Sequence, residues 1–407
     1  MVVRPLSRNR DFVLLQAGQL LSNAGTQTTA IAYPLLVLAL TGSPARAGLV
    51  SFARTLPAAL FALPAGVLSD RFGRRRLMIA ADCVRAVVVA ALAAAIAFGG
   101  LAFWELPVAA FVEGVGATVF AAAQVGALRA VVPVQQLPAA AASETGRNAV
   151  VGLAGPPLGG ALFELARALP FVVDALSYGF STVSLLAMGT PFEETADRES
   201  EPLRRRLAEG FDFVWGHAFL RTTALLFGLA NFIGPGLLLI VVVVGRDQGL
   251  TGGQIGLLVT AFAVCLLAGS LLSPLSRRLL PVHAIMLLEL WTWPVCVLFL
   301  VWPNVYVLTA ALLPTALVIP STDSVVHGFR IAITPDRLLG RSESVRRTIS
   351  LAVAPLGPLV AGVLLGAGSA RLAVGCFAAA ALALALWGTL SPAIRAAPTL
   401  DELDPQT

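Results

Sequence analysis

Lysine is missing from this 407-residue chain, so all 28 basic residues are arginines. A phosphate loop of the Gly-Lys-Ser/Thr type cannot be built without it, which argues against ATP hydrolysis by the chain itself. Charge of either sign is scarce, at 13% of residues against 57% hydrophobic ones, and mean hydropathy is +0.84. No water-facing surface can be assembled from so few charges. The three histidines (His217, His283, His327) are scattered, and the four cysteines (Cys83, Cys265, Cys296, Cys376) each stand alone in an apolar run. None has metal-ligand or disulfide spacing, and the cysteines read as small core residues. No catalytic residue, cofactor or metal is expected.

What the chain has is apolar length. Runs of about 20 apolar residues, each able to cross a hydrocarbon core of ~30 Å as a helix, recur from end to end. Twelve spans are predicted, over 11–39, 45–68, 76–97, 102–130, 140–166, 168–190, 219–245, 252–278, 282–302, 304–333, 342–367 and 369–390. The basic start "MVVRPLSRNRDF" is signal-like, but the segment after it is too long and too polar, and it is expected to be retained. The longest polar break, at 191–217, divides the spans six and six. An even number places both termini on one side. With that side cytoplasmic, only Arg46, Arg167, Arg246 and Arg371 fall outside, which fixes the orientation in a plasma membrane. The net charge of +5 then reflects basic cytoplasmic loops and calls for no nucleic acid.

The two halves repeat. "LRAVVP" (128–133), "SETGR" (143–147) and "GPPLGG" (155–160) recur in order as "FRIAITP" (329–335), "SESVR" (342–346) and "GPLVAG" (357–362). The offset is about 200 residues, or six spans, so the copies run parallel. The fold class expected is an all-α membrane protein of twelve helices in two pseudo-symmetric six-helix bundles. Residues 1–190 form the first, 191–218 a cytoplasmic linker, and 219–407 the second. Within the linker, Leu203, Leu207, Phe211 and Val214 share a face that suits a helix lying on the membrane surface.

Between the second and third spans the chain reads "GVLSDRFGRRRLM", with Gly66, Leu68, Asp70, Arg71, Gly73, Arg74, Arg75 and Met78 in register. This resembles the signature loop G-x-L-x-D-R-x-G-R-[RK]-x-x-[hydrophobic] of the major facilitator superfamily, without departure. Within it the chain looks most like the macrolide-efflux and enterobactin-exporter branch, through "AGQLLSNAG", "ARTLPAALFALPAGVLSDR" and "VVDALSYGFS". The resemblance implies that Asp70 faces the positive N-terminal end of the eleventh helix, near Ser342, and latches the cytoplasmic side. Gly73 is expected to permit a tight turn. The plainer reading, that the arginines only set topology, leaves Asp70 and the glycines unexplained. "GPPLGG" resembles the G-P-x-x-G-G of drug:proton antiporters, although Val151 stands where those proteins usually carry glycine. Gly155, Gly159 and Gly160 suit a close helix crossing and Pro156 a kink, as in many membrane helices.

Ionisable groups within the bilayer are functional candidates by default. Glu113 lies about 16 Å below the outer end of its span and Arg54 at similar depth, so the two are expected to pair. Asp323 and His327 stand one turn apart, as a proton relay or as a hydrogen-bonded pair. In the first span Gln16, Gln19, Asn23 and Gln27 form a polar stripe, either cavity wall or interhelical glue. Gln124 shares the face of Glu113, and Asn231 matches Asn23 across the repeat. Asp82 with Arg85, and Asp174 with Ser177 and Tyr178, read as structural; Glu289 is expected near an arginine or a boundary. Many proton-coupled relatives carry an arginine where "FVEGVGA" offers Glu113, which leaves coupling to Glu113, Arg54, Asp323 and His327. The expected protein is a monomeric secondary exporter of a small amphipathic or hydrophobic compound, driven by protons. Uptake by symport or facilitated diffusion is the alternative, and a non-transporting receptor a more remote one.

Overall fold

A computed structural model describes residues 6–190 and 203–395, apart from the side chains at 70, 71, 203, 204, 206, 207, 336, 337, 340 and 344. Asp70 and Arg71 of the signature loop, and Leu203 and Leu207 of the linker, therefore have side chains outside the described residues. So do orientation-setting arginines at 204, 206 and 337, while Arg4 and Arg198 lie wholly outside.

The described residues form helices α1 (Arg10–Thr41), α2 (Pro44–Arg71), α3 (Arg74–Phe98), α4 (Glu105–Val131), α5 (Leu137–Leu165), α6 (Leu169–Ala187), α7 (Leu203–Gly216), α8 (Ala218–Asp247) and α9 (Gly252–Leu279). Then follow α10 (Val282–Thr292), α11 (Leu298–Val301), α12 (Val305–Ile333), α13 (Asp336–Val353), α14 (Leu356–Ala367), α15 (Ala370–Leu390) and α16 (Pro392–Arg395). Among the described residues, 10 helical stretches are by length and composition able to cross a membrane; α1 and α5 carry too many polar groups to be among them.

Two predicted spans are broken. The stretch 282–302 is α10, a 3-10 turn at Trp293–Val297 and α11. The stretch 342–367 lies across α13 and α14, which part at Ala354 and Pro355. In both cases a proline, Pro294 or Pro355, withholds a backbone N–H and crowds the preceding turn. The turn between α2 and α3 also corrects an expectation. Gly73 has φ −52°, and a Cβ there would meet nothing closer than 4.0 Å, so neither conformation nor space demands glycine. Of the cysteines only Cys296 is buried; Cys83 and Cys376 are exposed, on outward faces where an apolar thiol suits lipid as well as it suits a core.

The chain divides into two compact units, residues 1–198 with 249–260 and residues 199–248 with 261–407. In the first, α1 packs on α5 and α6, and α4 on α2 and α3. Close approach is bought by glycine. A Cβ on Gly25 of α1 would stand 2.6 Å from Asp174 Oδ1 and 2.9 Å from Asp174 Cα. One on Gly159 of α5 would stand 2.6 Å from Thr28 Cα, and Gly160 lies against the Gly252 backbone. The expected close crossing at "GPPLGG" is thus present within this unit.

In the second unit α8 packs on α13, α14 and α15, with Phe232 stacked on Phe377 at 5.2 Å. Helix α7 lies against α13, where Glu209 pairs with Arg341. Val214 is buried with Leu220, Ala224 and Val345, whereas Phe211 is exposed and stacks on Trp215. Part of the expected lipid-facing stripe of α7 is therefore turned onto protein. The repeat is legible in side chains too. Glu144 and Arg147 make an i,i+3 ion pair at 3.8 Å, and their repeat mates Glu343 and Arg346 make one at 2.6 Å.

Gly25→Ala is expected to lower stability by about 1–3 kcal/mol, since backbone and a buried carboxylate must both yield. Gly66→Ala meets no atom within 4 Å, and is expected to raise stability by about 0.5–1 kcal/mol through helix propensity. Thermal unfolding of the purified variants in detergent checks both signs.

Candidate functional site

Burying a charge in hydrocarbon is tolerable only when partners replace the lost water. In the first unit five ionisable side chains meet on this condition. Arg54 Nη2 of α2 donates to Glu113 Oε1 of α4 at 3.1 Å, with side chains 18% and 2% exposed. The same nitrogen donates to the Thr26 carbonyl at 2.9 Å and to Thr29 Oγ1 at 3.4 Å, both on α1. Arg54 also lies over the Tyr33 ring at 5.6 Å. The expected pairing of Arg54 with Glu113 is present, tied to α1 as well.

A second pair stands beside it. Arg85 Nη1 of α3 donates to Asp82 Oδ1 at 3.3 Å, and Arg85 Nη2 donates to the Tyr178 hydroxyl at 2.6 Å and to Thr26 Oγ1 at 3.0 Å. Its guanidinium covers the Tyr178 ring at 3.9 Å, a cation–π contact strengthened by desolvation. Tyr178 in turn reaches two carboxyl groups, Asp174 Oδ2 at 3.2 Å and Glu113 Oε1 at 3.4 Å. Asp174, fully buried on α6, accepts further from Thr29 Oγ1 at 2.9 Å and Ser177 Oγ at 3.4 Å. Read from sequence as structural, Asp174, Ser177, Tyr178, Asp82 and Arg85 belong to the same network as Glu113. The one-face spacing of Asp174 and Tyr178 was the available signal.

The polar stripe of α1 takes partners on α5. Gln16 Oε1 accepts from Arg147 Nη1 at 2.7 Å, and Asn23 Nδ2 donates to Asn148 Oδ1 at 3.5 Å. Gln27 packs on Gly155, and Gln19 is buried. At least Gln16 and Asn23 thus bond between helices. Gln124 donates to Glu144 at 3.1 Å, and Asn231 bonds the Phe227 carbonyl of its own helix. In the signature loop Arg75 donates to the Leu185 and Leu186 carbonyls at 2.9 and 2.8 Å, closing the end of α6. Arg74 lies over Gly126 of α4.

In the second unit Asp323 and His327 share the exposed face of α12, but the His327 ring takes Arg330 as its partner at 2.6 Å. Arg330 pairs with Glu343 at 2.7 Å. The expected Asp323–His327 pair is replaced by this chain, because Arg330 lies as close along the helix and brings a full charge. Glu289 lies buried beside Thr322 and Trp293 rather than at a boundary or an arginine.

The chain matches, over residues 3–406, the family model described as a transmembrane secretion effector. It is 28% identical over 422 residues to the multidrug efflux pump Tap of Mycobacterium tuberculosis, covering 99% of this chain and 96% of that protein. To Tap of Mycolicibacterium fortuitum it is 26% identical over 418 residues, covering 98% of each. A bacterial homologue of the human lysosomal transporter Spinster shares its fold with a TM-score of 0.72 at 14% identity, covering 99% of both chains.

Removing one member of a buried ion pair strands the other, at a cost of about 3–5 kcal/mol, while removing both costs less. Arg54→Met is therefore expected to lower the unfolding temperature, and Arg54→Met with Glu113→Gln to recover part of the loss. A double-mutant cycle by thermal unfolding measures the difference; strict additivity would show that the pair carries no coupling.

Proposed function

The chain belongs to the transmembrane secretion effector family of the major facilitator superfamily, and from that premise we propose that it exports small amphipathic or hydrophobic compounds by proton antiport. It is a secondary transporter of small molecules in a bacterial membrane, and not an enzyme. The finer reading gives it twelve membrane helices in two six-helix bundles, 1–190 and 219–407, joined by 191–218. The arginine bias supports a plasma-membrane location with both termini cytoplasmic. Drug, antibiotic and siderophore-like metabolites are the substrate class, in keeping with relatives named as multidrug efflux pumps over nearly their whole length.

The observation that carries the reading is Glu113 held by Arg54 deep among five helices. Burial disfavours a carboxylate and a neighbouring guanidinium favours it, so a small movement of Arg54 decides whether Glu113 keeps a proton. Alternating access supplies such a movement, and the switch couples proton entry to substrate exit. Gln16, Gln19, Asn23, Gln27, Gln124 and Asn231 serve as polar wall of the substrate path, with Asp323 and His327 a reserve proton route. The helix-crossing glycines of "GPPLGG" favour export over uptake.

The test is flux in proteoliposomes of the purified chain, with ethidium as the probe and an imposed pH gradient. Wild type is expected to accumulate ethidium against its gradient. Glu113→Gln is expected to abolish accumulation while ethidium still binds, and full accumulation by that variant would eliminate the site.

Asp70 is the latch of the signature loop in this reading. A carboxylate at a helix N-terminus contributes about 0.3–2 kcal/mol, enough to shift two conformers without unfolding either. Asp70→Asn is expected to insert and fold as wild type does and to transport more slowly; an unchanged rate in the same vesicles would remove the gating role.

A further inference from the structure

The buried network of the first unit does not balance its charges. Arg54 and Arg85 bring two positive charges, while Asp82, Glu113 and Asp174 bring three carboxyl groups. Two of these are matched, Glu113 with Arg54 at 3.1 Å and Asp82 with Arg85 at 3.3 Å. Asp174 differs in kind. It is 0% exposed, and its side-chain partners are the hydroxyls of Thr29, Ser177 and Tyr178. A net negative charge in a site closed by five membrane helices is unfavourable, and a neutral carboxylic acid removes it.

Hydrogen-bond counting points the same way. The Tyr178 hydroxyl owns one proton but stands within reach of three oxygens, Thr26 Oγ1 at 2.9 Å, Asp174 Oδ2 at 3.2 Å and Glu113 Oε1 at 3.4 Å, while Thr26 already donates to the Ser22 carbonyl at 2.9 Å. With both acids ionised one carboxyl contact is left without a hydrogen, since a phenol cannot donate twice. With a proton on Asp174 Oδ2 both carboxyl contacts are satisfied, and only the neutral Thr26 Oγ1 contact is left without a hydrogen. Asp174 donates to the phenolic oxygen, and the phenolic proton goes to Glu113. Arg85, donating to the same phenol at 2.6 Å, keeps its orientation.

We propose that Asp174 is the proton-holding residue of the first unit and that the Tyr178 hydroxyl relays its proton to Glu113. The Asp174 O–H breaks as a new O–H forms on Tyr178; the original phenolic O–H breaks as its proton joins Glu113 Oε1. One proton moves to Glu113, one negative charge moves to Asp174, and nothing else is consumed. Glu113, once neutral, loosens Arg54, whose Nη2 already reaches Thr29 Oγ1 at 3.4 Å, the hydroxyl that donates to Asp174. Arg54 can thus follow the negative charge across α1. The groups facing Asp174 are Thr29 and Tyr33 from α1, Arg54 from α2, Arg85 from α3 and Glu113 from α4. On α5, Arg147 pairs with Glu144 and bonds Gln16 instead. The relay rests on the antiport reading for its use, but the protonation of Asp174 is tested without it.

The experiment is infrared spectroscopy of the purified full chain at neutral pH, with aspartate or glutamate side-chain carbonyls isotopically labelled. A protonated carboxyl has a carbonyl stretch that a carboxylate lacks. Wild type is expected to show such a band that shifts with the aspartate label and is lost in Asp174→Asn. Arg54→Gln, one positive charge poorer, is expected to gain a second band that shifts with the glutamate label. Absence of an aspartate band in wild type, or its survival in Asp174→Asn, overturns the proposal. Should Asp174→Asn fail to fold, survival of the band in both Asp82→Asn and Asp323→Asn supports it, and loss in either overturns it. Tyr178→Phe is expected to keep the band and to lose ethidium accumulation driven by a pH gradient; wild-type accumulation would remove Tyr178 from the path. If wild-type vesicles show no accumulation at all, the antiport reading fails while the band still decides Asp174.

Discussion

The bond between Arg54 and Glu113 is the contact on which the packing of the first unit turns. Each side chain alone would leave an unneutralised charge at a depth it cannot easily leave, and each is acceptable there because the other lies at 3.1 Å. The pair needs two helices at contact, and α2 and α4 pack closely, with Gly114 against the Arg54 carbonyl. It also needs polar groups to finish the guanidinium's donors, which the Thr26 carbonyl and Thr29 of α1 provide. Once Thr29 is there, Asp174 has a donor; once Asp174 is there, α6 must come close, and Gly25 lets it. Much of the first unit's helix arrangement follows from solvating two charges without water.

The repeat makes the contrast between the units informative. Both units keep a proline at the join of corresponding helices, an i,i+3 acid–arginine pair at the start of the next, and a glycine crossing beyond it. Those shared features set the framework: Gly159 on Thr28 in one unit, Gly357 against Phe232 and Gly236 in the other. The buried network is not shared. In the second unit the described ion pairs lie on α7 and α13 and join α13 to α7 and α12, and Glu289 is buried without an arginine beside it. Duplication preserved what packs helices, while charges deep in the membrane differ between the copies because each one needs its own set of partners.

Helix positions were legible because apolar length is a direct consequence of bilayer thickness, and the observed helices keep the expected order and nearly the expected ends. The breaks at Pro294 and Pro355 were not. Pro34, Pro57, Pro64, Pro156, Pro235, Pro274, Pro314 and Pro320 all lie inside helices that continue through them. Proline in a membrane helix therefore signals a possible break without deciding it, since neighbouring helices can satisfy the freed carbonyl. Arg54 and Glu113 could be paired from depth alone. Asp174 could not be added to them, because depth does not say which face of α6 meets α1. That face is set by Gly18 and Gly25, whose spacing of seven residues looks in the sequence like any small-residue pattern.

The same logic explains why α1 and α5 are too polar to qualify as spans on composition. A helix carrying Gln16, Gln19, Asn23, Thr26, Gln27, Thr28 and Thr29 loses hydrogen bonds on entering hydrocarbon unless a neighbour returns them. Helix α5 returns two, as Arg147 donates to Gln16 and Asn148 accepts from Asn23, and it needs the same favour for its own arginine. Arg54, Arg85 and Asp174 use the hydroxyls of Thr29 and Thr26 on a neighbouring face of α1. The polar groups of α1 are thus divided between two tasks, holding α5 on one side and the charge network on the other. A substitution in this helix that disturbs one set of contacts reaches the other through the shared backbone.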